Sequence, residues 1–232
     1  FKEMEYVAGQ MKDRPLSTIY FGGGTPTSLN PQDLDEILTK VEELFPVEQA
    51  VEFTVESGRP DSITREKLQV LRNHGISRIS INPQTMKQAT LDLIGRRHTV
   101  ENTVRAFELA KRVGIDCINT DLIAGLPGEN AADFRDSLER IWSLGADNIT
   151  LHTLAVKRGP GLKELDPEYN YKHEELCTEM LDDARLFLTG KGYRPYYLYR
   201  HKHPSGHTEN QGFCRADCAS ITNVRTPTEA RS

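Results

Sequence analysis

Apolar residues along the chain follow two alternating periods. Short runs rich in β-branched and aromatic residues end in turn or polar residues, and each is followed by a segment with apolar positions at helical spacing. The starts of the runs lie roughly 30–40 residues apart, the length of a βα unit. Five such units in succession predict a parallel sheet. The runs are "STIYF", "AVEFTVE", "RISIN", "CINTDLIA" and "NITLHTL".

The intervening segments carry helix start and stop signals. Asn30 before Pro31 predicts an N-cap, because its side chain can accept from a free N–H of the first turn. Thr64 predicts the start of the next helix and Gly75 its end. "EELCTEMLDDARLFLTGKG" predicts a last long helix. The segment that ends at Gly145 has one apolar stripe, formed by Phe134, Leu138 and Ile141.

Two architectures fit this pattern: an open doubly wound sheet, and a barrel or partial barrel. Both bind ligands at the carboxyl ends of their strands. Polar and glycine residues gather at these ends, whereas the strand bodies are apolar. Loops are polar in any case, so this pattern alone leaves a purely structural explanation open. The strand-end residues are Gly22 to Gly24, Glu56, Gln84, Asp121 and His152.

Composition narrows the class of protein. Of the 232 residues, 37% are hydrophobic and 27% charged, which is ordinary for a globular protein. No run reaches the length of a membrane span. The net charge of −5 argues against non-specific nucleic-acid binding. The 4 scattered cysteines favour a reducing, cytoplasmic setting over a disulfide framework. The periodicity disappears after about residue 200, so residues 201–232 are expected to form a divergent or truncated tail.

Three consecutive glycines, Gly22 to Gly24, follow the first strand-like run. They do not open a helix directly, as a dinucleotide fingerprint would, and the lysine of a P-loop is absent. A β-bulge or tight turn would explain one or two glycines. Three predict that a small polar ligand approaches the backbone.

Several motifs in order resemble one enzyme family: "YFGGGTPTSL", "VES", "INPQTM", "LIGRRHT", "NTDLIAGLPGE" and "LHTLAVKRG". The family is that of radical S-adenosylmethionine (SAM) enzymes related to oxygen-independent coproporphyrinogen III oxidase, and the sequence looks closest to its coproporphyrinogen dehydrogenase branch. The resemblance covers roughly residues 1–213. It implies an α/β fold, a partial (β/α)6 TIM-like barrel over residues 1–200 whose first strand is missing, followed by the start of a lost C-terminal region.

The resemblance also assigns cofactor contacts. It implies that the glycine loop meets the methionyl amino group of SAM, that Glu56 accepts from the ribose hydroxyls and that Arg96 binds the SAM carboxylate. An exposed acid in a loop remains the alternative for Glu56, and a buried acid that caps a loop remains the alternative for Asp121. Arg97 is expected to be solvated or ion-paired. The implied SAM-binding residues are Gly22, Gly23, Gly24, Thr25, Glu56, Gln84, Arg96 and Asp121.

In this family three cysteines in a C-x3-C-x2-C motif hold a [4Fe–4S] cluster. That motif does not occur in this sequence, so the cluster is expected in a full-length parent and no metal ligand is assigned here. Cys214 and Cys218 form a C-x3-C pair, but Ile221 stands where the third cysteine would be. We interpret the pair as a coincidence.

The resemblance implies oxidative decarboxylation of coproporphyrinogen III to protoporphyrinogen IX in the full-length parent, with this chain inactive by itself. Its partners would be the tetrapyrrole substrate and an electron donor such as flavodoxin or ferredoxin. Lys157 and Arg158, near the mouth of the barrel, are candidates for substrate propionates, or are solvated loop cations. Two other functions remain open: a haem carrier or chaperone on the same barrel, and a cluster-free (β/α) barrel lyase.

Overall fold

A computed structural model describes residues 1–11, 14–154, 169–199, 210–216 and 218–222 of the chain. Within these residues the chain forms seven strands and seven α-helices. The strands are β1 (Thr18–Phe21), β2 (Glu52–Gly58), β3 (Arg78–Ile81), β4 (Cys117–Ala124), β5 (Asn148–Thr153), β6 (Arg194–Tyr199) and β7 (Asn210–Cys214). The α-helices are α1 (Lys2–Gln10), α2 (Pro31–Leu44), α3 (Arg65–Asn73), α4 (Gln88–Leu93), α5 (Val100–Val113), α6 (Ala131–Leu144) and α7 (Tyr169–Gly190). Among the described helices none is long and apolar enough to cross a membrane.

All five predicted strands are present, and the strands form one sheet in the order β1-β2-β3-β4-β5-β7-β6. Strands β1 to β4 pair in parallel, as the βα pattern predicted. The sheet is nevertheless mixed, because β7 lies between β5 and β6 and is antiparallel to both. The antiparallel pairs all involve β7, which is not one of the five strands of the predicted parallel sheet.

Strand β7 also lies within the segment for which the sequence predicted no element. Its residues, "NQGFC", include polar side chains and a glycine, which have low β-propensity. The strand is stable because it pairs along both edges: Phe213 is in register with Ile149 on one side and with Pro195 on the other. Pairing on both edges supplies what the local sequence lacks.

The chain folds as two compact units, each described here separately. The first unit comprises the described residues within Phe1–Asn82, Glu101–Asn119 and Ser220–Thr226. The second comprises those within Pro83–Val100, Thr120–Ala219 and Pro227–Ser232.

In the first unit, one face of the strands is polar. The register pairs Thr18 with Glu52, Thr54 with Arg78 and Arg78 with Cys117. Because successive side chains point to opposite faces of a strand, the polar residues of β2 and β3 share one face and the apolar residues the other. The polar face contains Glu52, Thr54, Glu56, Arg78 and Ser80, and the opposite face contains Phe53, Val55, Ile79 and Ile81.

Glu52 begins β2 and is buried, with 4% of its surface exposed. Its carboxylate accepts from the backbone N–H of Ile221 at 2.8 Å and from the hydroxyl of Ser220 at 3.1 Å. Arg78 lies 3.6 Å away on β3. Burial raises the pKa of Glu52, but hydrogen bonds from Thr222 and Ile221 and the charge of Arg78 outweigh it and leave the pKa below its usual value. Residues 220–222 are thereby bound to the start of β2.

Helices α2 and α3 of the first unit confirm their predicted caps. The side chains of Asn30 and Thr64 accept from the N–H of Asp33 and Lys67. His74, directly after α3, lies between two carboxylates of α2. Its Nδ1 is 2.8 Å from Glu42 and its Nε2 is 2.9 Å from Asp35. A histidine that contacts two carboxylates is stabilised in its protonated form.

In the second unit, helix α6 ends at Gly145 as predicted. Asn130 and Asp133 form a reciprocal capping box at its start, and Gly145 ends it in the left-handed conformation. The predicted apolar stripe is buried and consists of Phe134, Leu138 and Ile141.

Candidate functional site

The glycine run follows β1, and each glycine has a different environment. A Cβ on Gly22 would collide with the ring of Tyr20 and lie 2.7 Å from a carboxylate oxygen of Glu56. Gly23 has a positive φ of 94°, which side chains other than glycine rarely adopt. Apart from their chain neighbours, no atom of the described residues lies within 4 Å of a Cβ placed on Gly23 or Gly24. Crowding by Tyr20 and Glu56 therefore explains the first glycine, backbone conformation explains the second, and the described residues leave space beside Gly23 and Gly24.

This result changes one part of the sequence interpretation. The glycine run was expected to make room for a ligand, but at Gly22 the space is occupied by the protein's own Tyr20 and Glu56. The Tyr20 hydroxyl donates to Glu56 Oε2 at 2.8 Å. Glu56 is half-buried near the end of β2. The structure thus brings Gly22 and Glu56 together through Tyr20, a residue that the sequence analysis did not single out.

Thr25 and the loop after the glycines are held against the end of β2. Thr25 lies 3.7 Å from the position that a Cβ on Gly58 would occupy. The Thr27 hydroxyl is buried and donates to the Ser57 carbonyl at 2.7 Å. Lys67 donates to the Thr27 carbonyl at 2.5 Å. These bonds fix the polypeptide that carries Gly23 and Gly24, so their backbone has a defined position.

Gln84 belongs to the second unit and comes after strand β3 in the sequence. It has an unusual backbone conformation. Its φ is +74°, and no other non-glycine residue in the described part of the chain has a positive φ. Its N–H donates to the Asp121 carbonyl at 3.2 Å, and its carbonyl accepts from Ile123 at 2.9 Å. Gln84 is therefore attached to β4 on both sides, and two of the predicted site residues, Gln84 and Asp121, are adjacent.

A buried polar network holds the residues directly after Gln84. Glu129 has only 7% of its surface exposed and accepts from the Thr85 hydroxyl at 2.6 Å. Ser137, on α6, accepts from the Met86 N–H at 3.0 Å. Arg140, also on α6, donates to the Met86 carbonyl at 2.8 Å. Burial raises the pKa of Glu129 although Thr85 donates to it. A strained backbone persists only where the surrounding structure holds it in place. The hydrogen bonds of this network to Thr85 and Met86 hold the backbone next to Gln84 in this way.

Asp121 lies on the half-buried face of β4, next to His152 at the end of β5. The two side chains approach to 3.5 Å between Asp121 Oδ2 and His152 Nε2. Burial lowers the pKa of His152, but the hydrogen bond and charge of Asp121 outweigh it, so that the pKa is raised. The imidazole is therefore protonated up to a higher pH than a free histidine. From the sequence, His152 was expected at a strand end, either facing substrate or as a polar residue of the rim.

Arg96 and Arg97 follow α4, and both are exposed. The backbone N–H of Arg96 donates to the Leu91 carbonyl at 2.9 Å, which fixes the turn around Gly95. His98, next to them, is buried with its Nε2 3.2 Å from the Pro83 carbonyl. The two arginines therefore share the same short segment and similar exposure, and they differ by one position in the chain.

The remaining predicted residues and the cysteines complete the survey. Lys157 and Arg158 lie outside the described residues. Cys117, Cys177 and Cys214 are buried and Cys218 is half-buried, all four as free thiols. Burial raises the pKa of Cys177 to about 11, which disfavours the thiolate that a metal needs.

No three His, Cys, Asp or Glu side chains within the described ranges come together in a way that could hold a metal ion. The cysteines in this part of the chain therefore do not fit a [4Fe–4S] cluster. Within the first unit, the open backbone at Gly23 and the accessible carboxylate of Glu56 fit SAM. Within the second unit, the exposed guanidinium of Arg96 does so as well.

Comparison with known proteins supports the predicted family. The chain is 43% identical over 225 residues to the oxygen-independent coproporphyrinogen-III oxidase-like protein HemZ of Bacillus subtilis, covering 96% of this chain and 45% of that protein. It is 35% identical over 143 residues to the haem chaperone HemW of the same organism, covering 61% of this chain and 38% of that protein. The chain thus spans less than half the length of these two curated relatives.

Solved structures confirm the fold. Coproporphyrinogen III oxidase (HemN) of Escherichia coli matches with a TM-score of 0.73 at 24% identity, over 96% of this chain and 48% of that chain. Archaeal Elp3 of Methanocaldococcus infernus matches with a TM-score of 0.58 at 20% identity, over 79% of this chain and 49% of that chain. The fold is that of a radical SAM partial TIM barrel, as predicted. The radical SAM superfamily model matches residues 1–141, and the chain therefore belongs to the radical SAM superfamily.

Proposed function

We propose that the chain binds SAM at the strand ends and that the full-length protein is a radical SAM oxidoreductase of haem biosynthesis. Its reaction would be the oxidative decarboxylation of coproporphyrinogen III to protoporphyrinogen IX. The observation that carries this proposal is the 43% identity to a coproporphyrinogen oxidase-like protein over 96% of the chain. Glu56 and Asp121 lie in the carboxyl-terminal halves of β2 and β4, and Gln84 follows β3. These positions support the proposal, because ligands of such barrels bind toward the carboxyl ends of the strands.

The proposed roles follow from the chemistry of each group. Glu56 accepts from the ribose diol, since a carboxylate offers acceptors only. Gly23 and Gly24 leave their backbone accessible to the methionyl amino group. Arg96 binds the methionyl carboxylate, to which a planar guanidinium can donate two bonds. Gln84 and Asp121 are further proposed contacts of SAM.

SAM bound at a reduced [4Fe–4S] cluster would supply the radical that removes a hydrogen atom from a substrate propionate. The residues of this chain bind and orient the cofactor and shield it from water. Asp121 raises the pKa of His152 near the end of β5 and so favours its protonated form, which is suited to a carboxylate nearby. Lys157 and Arg158 remain candidates for further propionates. The electron donor would be a flavodoxin or ferredoxin.

A haem carrier or chaperone on the same fold is the second candidate. The 35% identity to a haem chaperone over 61% of the chain favours it. It would share the barrel and differ in outcome, because haem would be bound in a fixed stoichiometry without turnover. Membership of the radical SAM superfamily argues against the third alternative, a cluster-free lyase.

An anaerobic assay of the full-length protein distinguishes the two candidates. The reconstituted protein is mixed with SAM, a strong reductant and coproporphyrinogen III, and protoporphyrin fluorescence after oxidation is measured together with 5′-deoxyadenosine. An oxidase produces both with repeated turnover. Stoichiometric haem binding with no protoporphyrin would contradict the oxidase and support the chaperone.

Arg96→Ala and Arg97→Ala are matched variants for the SAM site. Loss of a hydrogen bond from a charged group costs about 1–3 kcal/mol, so Arg96→Ala should weaken SAM binding about fivefold or more in calorimetric titration. Arg97→Ala removes the same charge from the next position and should have much less effect. Equal effects of the two substitutions would refute the assignment of Arg96.

A further inference from the structure

The hydrogen bond between Tyr20 and Glu56 depends on Gly22. Parallel pairing aligns Tyr20 with Thr54, so Glu56 lies two residues further along β2, beside Gly22. The Tyr20 ring extends along the sheet across Gly22 and reaches Glu56 Oε2 at 2.8 Å. A Cβ on Gly22 would occupy the space of both the ring and the carboxylate. The absence of a side chain at residue 22 therefore allows the other two to meet.

This contact contributes little to stability. Tyr20 is 50% exposed, and hydrogen bonds between exposed side chains compete with water. Its effect is geometric, since it fixes one carboxylate oxygen of a side chain with three rotatable bonds. In the described residues Glu56 Oε1 accepts no hydrogen bond, so it remains available as an acceptor when Oε2 is held. A carboxylate fixed in this way is prepared to bind a pair of neighbouring hydroxyls.

We infer that Tyr20 is a positioning residue that orients Glu56 toward the ribose of SAM, and that Gly22 is a glycine because this pair needs its space. This inference rests on the proposed function of the site. It assigns Tyr20 a role that acts entirely through Glu56. The gain is preorganisation: a carboxylate already held in its binding orientation loses less freedom when the ligand arrives.

The test is a double-mutant cycle on SAM affinity in the full-length protein, with the variants Tyr20→Phe, Glu56→Ala and both together. Tyr20→Phe keeps the ring and removes only the hydroxyl. We expect it to raise the Kd for SAM about three- to tenfold in the wild-type background, the effect of losing one exposed hydrogen bond. In the Glu56→Ala background it should change the Kd less than twofold, because the group through which it acts is absent.

Two further measurements separate positioning from general damage. A SAM analogue that lacks the ribose 2′-hydroxyl should bind wild type and Tyr20→Phe with nearly equal Kd. Tyr6→Phe removes a hydroxyl from α1, at a tyrosine that is 69% exposed, and should leave the Kd for SAM unchanged. Gly22→Ala should raise the Kd, and combining it with Tyr20→Phe should add little.

The outcomes distinguish this inference from the proposed function. If the wild-type protein does not bind SAM, the proposed function fails and the inference fails with it. If the wild type binds SAM but Tyr20→Phe has no effect, or has the same effect with and without Glu56, only the inference is overturned.

Discussion

The positive φ of Gln84 predicts an unusual response to glycine. A side chain in the left-handed region costs about 1–2 kcal/mol relative to the right-handed region. Glycine does not have this cost. It lowers the stability of the folded protein by about 0.5–1 kcal/mol relative to alanine, because the unfolded chain with glycine has more conformational freedom. At Gln84 the difference favours glycine over alanine by roughly 0.5–1 kcal/mol. At a residue with negative φ only the second effect remains, and glycine is the less stable of the two.

The experiment compares glycine with alanine at two positions. Gln84→Ala and Gln84→Gly both remove the side chain and differ only in the Cβ. Ala50 has a φ of −72° and a ψ of 126°, so Ala50→Gly measures the same change at an ordinary backbone conformation. We expect Gln84→Gly to be more stable than Gln84→Ala, and Ala50→Gly to be less stable than the wild type. The effect of replacing alanine by glycine on the free energy of unfolding should differ between the two positions by about 1–2 kcal/mol.

Urea unfolding gives the free energies directly, and m-values identify any change in the unfolded state. In a chain of 232 residues, 1 kcal/mol corresponds to a shift in Tm of about 2–4 °C. Both Gln84 variants lose the side-chain amide and should weaken SAM binding equally in the full-length protein. If glycine destabilised both positions to the same extent, the backbone of Gln84 would not be strained and its φ would have no bearing on the site.

Two pH dependences follow from buried groups. Burial lowers the pKa of His74, but its hydrogen bonds to Asp35 and Glu42 outweigh this effect and raise the pKa. The protonated histidine therefore stabilises the folded protein fully below about pH 6.5, and this stabilisation is lost as the pH rises through the pKa of the folded state. His74→Gln should accordingly lower the free energy of unfolding in urea by progressively less from about pH 6 upward. A constant cost across this range would contradict the ion pairs. Burial also raises the pKa of Glu129. Because Glu129 is a carboxyl group, the folded protein loses stability when this side chain ionises. Wild type should therefore fall in stability relative to Glu129→Gln as the pH rises from about 4, and the opposite slope would show that Glu129 is stabilised as a carboxylate.

The sequence predicted those parts of the fold that local patterns encode. Asn30 and Thr64 cap their helices as expected, because a capping bond spans three residues and needs no tertiary information. The five βα strands were predictable for the same reason. Strand β7 was not, because its pairing partners are distant in sequence and its own residues have low β-propensity.

The candidate site divides in the same way. Motif resemblance identified Glu56, Gln84 and Asp121 as candidate ligands, and their roles remain predictions. Tyr20 was not identified, although the period of two places it on the same face as Gly22 and Glu56. That signal was present in "YFGGG" but became interpretable only when the register of β1 against β2 was known. The left-handed conformation of Gln84 has no sequence signal, because glutamine is not a residue that prefers it.

The bonds between Glu52 and residues 220–222 have a consequence for synthesis of the protein. Ser220 is 168 residues further along the chain than Glu52 and leaves the ribosome after it. At translation rates of about 5–20 residues per second, the donors to Glu52 arrive roughly 10–30 s later. Until then the carboxylate of β2 must remain hydrated, because burial without donors is unfavourable. The polar face of the nascent sheet is therefore expected to stay open to solvent, and accessible to chaperones, until residues 220–222 have been synthesised.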